Sequence, residues 1–141
     1  MIDIESVVFG KVASALRSAY RGIYVYGEYV ETPKSFPCVC LVEDDNRPYE
    51  RTATREDNEN DVKVMYTLTV YANSEDDKKS QAKEIFATAD EVLKSYNFNR
   101  TMRAQVPNID RTIYRITGRY EAVVQKGIAE GDDVVHYIYR R

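Results

Sequence analysis

Val62-Lys63-Val64-Met65-Tyr66-Thr67-Leu68-Thr69-Val70-Tyr71-Ala72-Asn73 runs through Ser74-Glu75-Asp76-Asp77 into Lys78 to Tyr96, and this stretch carries two hydrophobic periods in succession. Val62, Val64, Tyr66, Leu68, Val70 and Ala72 alternate with Lys63, Thr67, Thr69 and Asn73, the period of two of a half-buried β-strand. Ser74 then precedes three acids, so its hydroxyl is placed to cap free backbone N–H groups, and the acids sit against the positive end of a helix dipole. The period switches. Ala82, Ile85, Phe86, Ala89, Val92, Leu93 and Tyr96 recur at steps of three and four, which draws one apolar stripe along an amphipathic helix from Glu75 to Tyr96. Asn97 tolerates a left-handed C-terminal cap, with Phe98 folding back on the last turn. A helix therefore lies on one face of a sheet.

Outward from this unit, the first 20 residues read as a second helix. Ile4, Val7, Val8, Val12, Ala15 and Leu16 share a face from Asp3, the N-cap, to Tyr20, and Gly22 ends it. Ile23 to Tyr26, with Tyr29 and Val30, reads as a strand rich in β-branched and aromatic residues. Thr32-Pro33-Lys34-Ser35 is a turn, and Phe36 to Val42 a strand that is apolar on both faces after Pro37, as expected of a strand near the middle of a sheet or covered on both sides. Beyond the central helix, Arg100 to Val106 forms a short strand and Pro107-Asn108-Ile109-Asp110 a turn. Thr112 to Val124 is a long antiparallel strand, Gln125 to Asp133 a hairpin loop, and Val134 to Tyr139 the last strand. The expected fold is α+β, a mixed and mainly antiparallel sheet with two helices packed on it, in a single domain over residues 1–141. No internal repeat is present.

Glu43 to Asp61 breaks the pattern. It holds eight acidic and three basic side chains and almost nothing apolar besides Pro48, Tyr49 and Ala53, so it cannot fill a core. A connection this long in a small domain is either a solvated loop or extended β-hairpin, or an arm that orders against a neighbouring subunit.

The composition excludes several classes of function. Charged residues make up 30% of the chain at a net charge of -3, so there is no global basic character for binding nucleic acid through phosphates. The N-terminus lacks a basic region followed by a long apolar one, and no export signal or membrane span is expected. There is no phosphate loop, nucleophile elbow, HExxH or CxxC. Cys38 and Cys40 lie in the most apolar run, where burial raises a thiol pKa, so a nucleophile pair with His136 is not expected. The acidic clusters Glu43-Asp44-Asp45, Glu56-Asp57 and Asp132-Asp133 lack the spacing of a calcium loop and read as solvated faces. No enzyme activity, metal or organic cofactor is expected.

Two features point to protein contacts. Arg111, Arg115 and Arg119 share a strand face continued by Glu121, which fits an intersubunit ion-pair face better than nucleic acid. Tyrosine is abundant, with 12 in the chain and no tryptophan, including the pairs Tyr24/Tyr26 and Tyr137/Tyr139. Tyrosine serves core rims and protein interfaces alike.

Read together, the segments resemble the small tail-completion proteins of long-tailed bacteriophages, which include tail terminators and head-to-tail joining proteins. The resemblance is carried by Asp3-Ile4-Glu5 in the opening helix, Gly22-Ile23-Tyr24-Val25, Gly27-Glu28-Tyr29-Val30 and Ser35-Phe36-Pro37-Cys38-Val39. It continues through Tyr66 to Asn73 into the helix, then Arg100-Thr101-Met102, Pro107-Asn108, Thr112-Ile113-Tyr114-Arg115, Gly118-Arg119-Tyr120 and Ile138-Tyr139-Arg140-Arg141. It implies a structural virion protein of the tail or neck, assembled in the host cytoplasm as a homohexameric ring. That ring would cap the tail tube protein and offer a surface to the head-to-tail connector proteins. Under this reading Asp44, Asp45, Arg47, Tyr49, Arg51 and Arg55 of the arm, Tyr24 and Tyr26, and Arg115 and Arg119 are the subunit-interface candidates. A head-side joining protein is the alternative within the family. A small ligand-binding or regulatory module, with its pocket between helices and sheet, is the alternative outside it.

Overall fold

The computed structural model describes residues 3–30, 33–48, 61–107, 110–125, 129–130, 133–134 and 137–139. Their elements are α1 (Glu5–Ala19), β1 (Tyr24–Tyr26), β2 (Cys38–Pro48), β3 (Asp61–Ala72), α2 (Lys78–Ser95), β4 (Asn99–Gln105), β5 (Tyr114–Gln125), β6 (Ala129–Glu130), β7 (Asp133–Val134) and β8 (Tyr137–Tyr139). Six strands form one sheet in the order β1-β2-β3-β5-β4, with β8 also pairing β5, and β6 and β7 form a separate two-stranded ribbon. β1 runs parallel to β2, and every other pairing is antiparallel. The expected α+β fold with a mixed, mainly antiparallel sheet is therefore observed. Among the described residues, no helix is long and apolar enough to cross a membrane.

β3 is the axis of the sheet, and its alternation decides which face is covered. Val62, Val64, Tyr66, Leu68, Val70 and Ala72 are all buried beneath the helices with Ile85, Phe86, Ala89 and Leu93 of α2. Each strand beside it follows the same rule. Val39 and Leu41 of β2 and Tyr114, Ile116, Tyr120, Ala122 and Val124 of β5 join the same core. α2 packs on β3, β5 and β4, while α1 lies beside α2 at the β1 end. The Tyr20 hydroxyl ties α1 to α2 through Thr88 Oγ1 at 2.8 Å and donates to the Glu84 carbonyl at 3.2 Å. The opposite sheet face is largely polar. There Cys38, Cys40 and Tyr71 make a small second cluster under Val30, Phe36 and Ile113, so β2 is covered on both sides at this end, as its composition requires.

The end of α2 follows the expected cap in detail. Asn97 has a φ of 67°. The Phe98 N–H donates to the Leu93 carbonyl at 3.0 Å and the Asn97 N–H to the Lys94 carbonyl at 2.9 Å, the paired bonds of a Schellman motif. Phe98 is fully buried and meets Tyr66 edge to face at 5.3 Å. The start of the helix differs. Glu75 to Asp77 form a turn, α2 begins at Lys78, and the Ser74 hydroxyl donates to the Asp77 carboxylate instead of accepting a backbone N–H as a cap. A hydrogen bond to an ionised acceptor is charge-assisted, and the backbone of Ser74 serves the turn by accepting the Lys78 N–H at its carbonyl.

Other boundaries moved for physical reasons. Buried residues of α1 are Val8, Val12, Ala13 and Leu16, with Ile4 just before it, while Val7 is 56% exposed. The helix leans on the i, i+4 ridge rather than on the broader face that includes Val7. Asp3 does not cap the helix in the usual way; its carboxylate accepts the Glu5 N–H at 3.0 Å. β1 stops at Tyr26, leaving Tyr29 and Val30 outside it, and β2 begins at Cys38 rather than Phe36. The loop expected at Gln125 to Asp133 contains β6 and the start of β7, and the strand expected over Val134 to Tyr139 is divided between the end of β7 and β8. Thr32, Asn108, Ile109, His136, Arg140 and Arg141 lie outside the described residues.

Gly118 makes room for the core where β5 passes under α2. A Cβ built there would lie 2.5 Å from Cζ of Phe86, 2.9 Å from its Cε2 and 3.3 Å from the Met102 carbonyl oxygen. Phe86 is fully buried, so any shift of its ring must displace core neighbours. Gly118→Ala is therefore expected to destabilise the protein by about 1–3 kcal/mol through overpacking, read as a lower midpoint in chemical denaturation; an unchanged midpoint would mean that the Phe86 ring yields freely.

Candidate functional site

The charged segment divides at a bulge. β2 continues through Glu43 to Pro48, pairing residue by residue with Tyr66 to Val62 of β3, and the register shifts between Glu43 and Asp45. The first six residues of the expected arm are thus strand, because ladder pairing uses backbone groups and needs no apolar side chain. Glu43 meets Tyr66 on the helix side, and Asp44 accepts from Thr67 on the polar side. Asp45 pairs with Arg47 at 3.2 Å, and Arg47 Nη2 reaches the Met65 sulfur at 3.8 Å. Tyr49, Arg51 and Arg55 lie outside the described residues, as does the rest of 49–60.

The remaining interface candidates occupy two other places. Tyr24 and Tyr26 stand out from β1 at 46% and 36% exposure, with Val25 buried between them. Arg119 is exposed on the polar sheet face. Arg115 is half-buried on that face, donating to the Pro107 carbonyl at 3.3 Å with its guanidinium 6.0 Å from the Tyr71 ring centre. Its Nε is buried without a partner. The expected ion-pair face is partly used within the chain, since Glu121 pairs with Lys63 at 3.3 Å. The candidates therefore form three regions, at the base of the arm, the β1 edge and the polar sheet face.

Two clefts flank them. One, of about 310 Å³, lies on the polar sheet face among Cys40, Thr67, Thr69, Arg115 and Thr117. The other, of about 610 Å³, wraps the β1 edge between the start of α1 (Asp3, Glu5, Ser6, Phe9) and residues 26–30. The ligand-module alternative places its pocket between helices and sheet, where the main hydrophobic core packs.

The larger cleft is acidic. Carboxylate oxygens of Asp3, Glu5 and Glu43 lie within 4.8 Å of one another, a spacing open to a hard cation and also common among exposed acids without one. Burial pushes the Glu43 carboxyl up, the Tyr66 hydroxyl bond at 3.2 Å opposes this, and the charges of Glu5 and Asp3 raise it further; the net shift is upward. Burial and the Glu43 charge raise Tyr66 as well. Nothing in the sequence signals this grouping, because Glu43 is about forty residues from the other two and joins them only through the sheet.

Asp90 was also hidden. It sits on the buried stripe of α2 and accepts the Tyr120 hydroxyl at 2.6 Å, Arg100 Nη1 at 3.1 Å and Lys94 Nζ at 3.0 Å. Burial raises its carboxyl, but Tyr120, Lys94 and Arg100 outweigh burial and hold it below the ordinary range.

The two thiols are free and buried. The hydrogen bond with Cys40, together with burial, pushes Cys38 up, whereas the same bond lowers Cys40 to about 7 against the effect of burial. Burial raises both thiols as expected, and their mutual hydrogen bond makes the pair, not either cysteine alone, lose its protons in two steps.

No family model and no curated protein matches the chain. Among solved structures it is similar to the sheath/tube terminator of the extracellular contractile injection system PVC, seen in the extended state by cryo-EM. The match has 14% sequence identity and a TM-score of 0.46, covering 92% of this chain and 58% of that one. This chain thus spans less than two thirds of the length of that protein.

Proposed function

We propose that this protein is a tail terminator, a structural subunit that closes into a ring on the end of a phage tail tube and forms the surface for head attachment. The observation that carries the reading is that the segments resembling tail-completion proteins run in order through one fold, from α1 across β1, β2, β3, α2 and β4 to β5. The surfaces are of the kind an assembling subunit needs. Tyr24, Tyr26, Tyr29 and Met102 are large, exposed and concentrated on the two outer strands or beside them, and among the described residues β1 and β4 each pair on one side only. Unprotected edges invite pairing, and a partner subunit removes that hazard. Ion pairs alone contribute little at such a contact, so the tyrosines must supply buried area.

The test is to mix the purified protein with tail tubes polymerised from tube protein and image the ends by electron microscopy. Rings on tube ends are expected. Bare ends overturn the reading, and binding to the head connector instead of the tube assigns the protein to the head side. Removing residues 50–59, which keeps the ladder from Pro48 and Val62 inward, is expected to leave a folded subunit that no longer caps tubes; normal capping by that variant would discard the arm as a subunit contact.

A further inference from the structure

We propose that the acidic, tyrosine-lined cleft at the β1 edge receives the arginine-bearing β4 edge of a second copy of this chain. The inference rests on the ring reading above and specifies the surfaces that meet. β1 and β4 lie at opposite ends of one sheet. The two edges differ in charge. At the β1 end the cleft gathers Asp3, Glu5 and Glu28 with Tyr26 and Tyr29, and Glu43 adds a fourth carboxylate against the first two. At the β4 end Arg100 and Arg103 are exposed, with Met102 at 39% exposure between them.

Both sets also lie toward the helices. Glu43 faces that side through Tyr66, and Asp3 and Glu5 begin α1. Arg100 reaches Asp90 of α2, and the Arg103 guanidinium stands 5.7 Å from the Phe86 ring centre. Two copies set edge to edge with their helices on one side therefore bring carboxylates of one against arginines of the next. Because the two patches are different surfaces of the same chain, the contact is heterologous and repeats around a ring instead of closing a two-fold dimer. Its geometry is prepared before association. Asp90 and Phe86 hold the two arginines against α2, so little side-chain freedom remains to be lost.

A second copy meets the charge requirement at both edges with a single interaction, and it covers both half-paired strands. Tyr26 and Tyr29 flank the acids as the aromatic contact area that charged pairs at an exposed rim lack.

The experiment uses the full chain and its Arg103→Glu, Glu28→Arg and doubly substituted forms, with association followed by sedimentation velocity and native mass spectrometry from micromolar to millimolar protein. Each single reversal is expected to raise the dissociation constant at least about tenfold by placing like charges together, and the double substitution to recover most of that loss. Circular dichroism of each variant separates lost association from lost folding. Single variants that associate like the unaltered protein overturn the proposal. So does an unaltered protein that stays monomeric throughout, or a double variant weaker than either single one. Rings on tube ends that are indifferent to these substitutions discard the surface and leave the terminator reading standing; association through these edges without tube binding does the reverse.

Discussion

Leu93→Ala is expected to lower the free energy of unfolding by about 2–5 kcal/mol, the range for deleting a fully buried leucine and leaving a partly collapsed cavity. Leu93 has no exposed surface and lies on the stripe that joins α2 to β3, between Ala89 and the Phe98 ring that closes the helix. The upper part of the range is expected because the neighbours are themselves held. Phe98 is fixed by the Schellman bonds, one of which ends on the Leu93 carbonyl, and by its edge-on contact with Tyr66. The alanine variant keeps those backbone bonds, so its loss reports packing alone. Chemical denaturation measures it. A shift under about 0.5 kcal/mol, the level of a surface substitution, would place Leu93 outside the core.

Asp90→Ala is expected to cost about 2–4 kcal/mol, since it strands polar groups that one carboxylate now satisfies. Tyr120 carries most of this. Its hydroxyl is in a fully buried residue with Asp90 as its partner, whereas Arg100 and Lys94 retain access to water. Tyr120→Phe in the Asp90→Ala background should then restore part of the loss by removing the stranded hydroxyl, and no recovery would move the energy to the two cations.

The same carboxylate sets a pH dependence. Because its folded-state pKa is lowered, Asp90 contributes stability that is full above the ordinary carboxylate range and is lost as pH falls through the folded value. The gap between the parent protein and Asp90→Ala must therefore narrow on acidification. Glu43 runs the other way. Its raised pKa favours the protonated form in the folded state, so its ionisation works against folding as pH rises through that value. Denaturation across the acid range, with Glu43→Gln as the second background, separates the two. A gap for Asp90→Ala that stayed constant with pH would show that its charge is not what stabilises the fold.

How much of this was legible in the sequence follows from the range of each interaction. Alternation along Val62 to Ala72 and the three-and-four spacing of Ala82 to Leu93 reflect backbone geometry repeated residue by residue, so the strand, the helix and the face each buries could be read directly. The cap at Asn97 and Phe98 is equally local. The extension of β2 also had a signal, and it favours the β-hairpin reading of the charged segment. β3 runs for 12 residues, whereas the apolar run opposite it ends at Val42; a partner of equal length had to continue into the acidic segment, where backbone pairing is indifferent to charge.

What only the tertiary structure decided depends on residues far apart in the chain. Asp90 looks like one more polar residue on a helix until β5 brings Tyr120 beneath it and β4 brings Arg100 alongside. The need for glycine at 118 arises from the Phe86 ring on another element. The three-carboxylate group beside the cleft exists because β2, paired on β3, carries Glu43 to the start of α1, and the placing of acids and arginines at opposite sheet edges follows from strand order. Local periodicity determines which residues turn inward; the order in which strands lie side by side determines which distant charges meet, because that order is set by packing over the whole core.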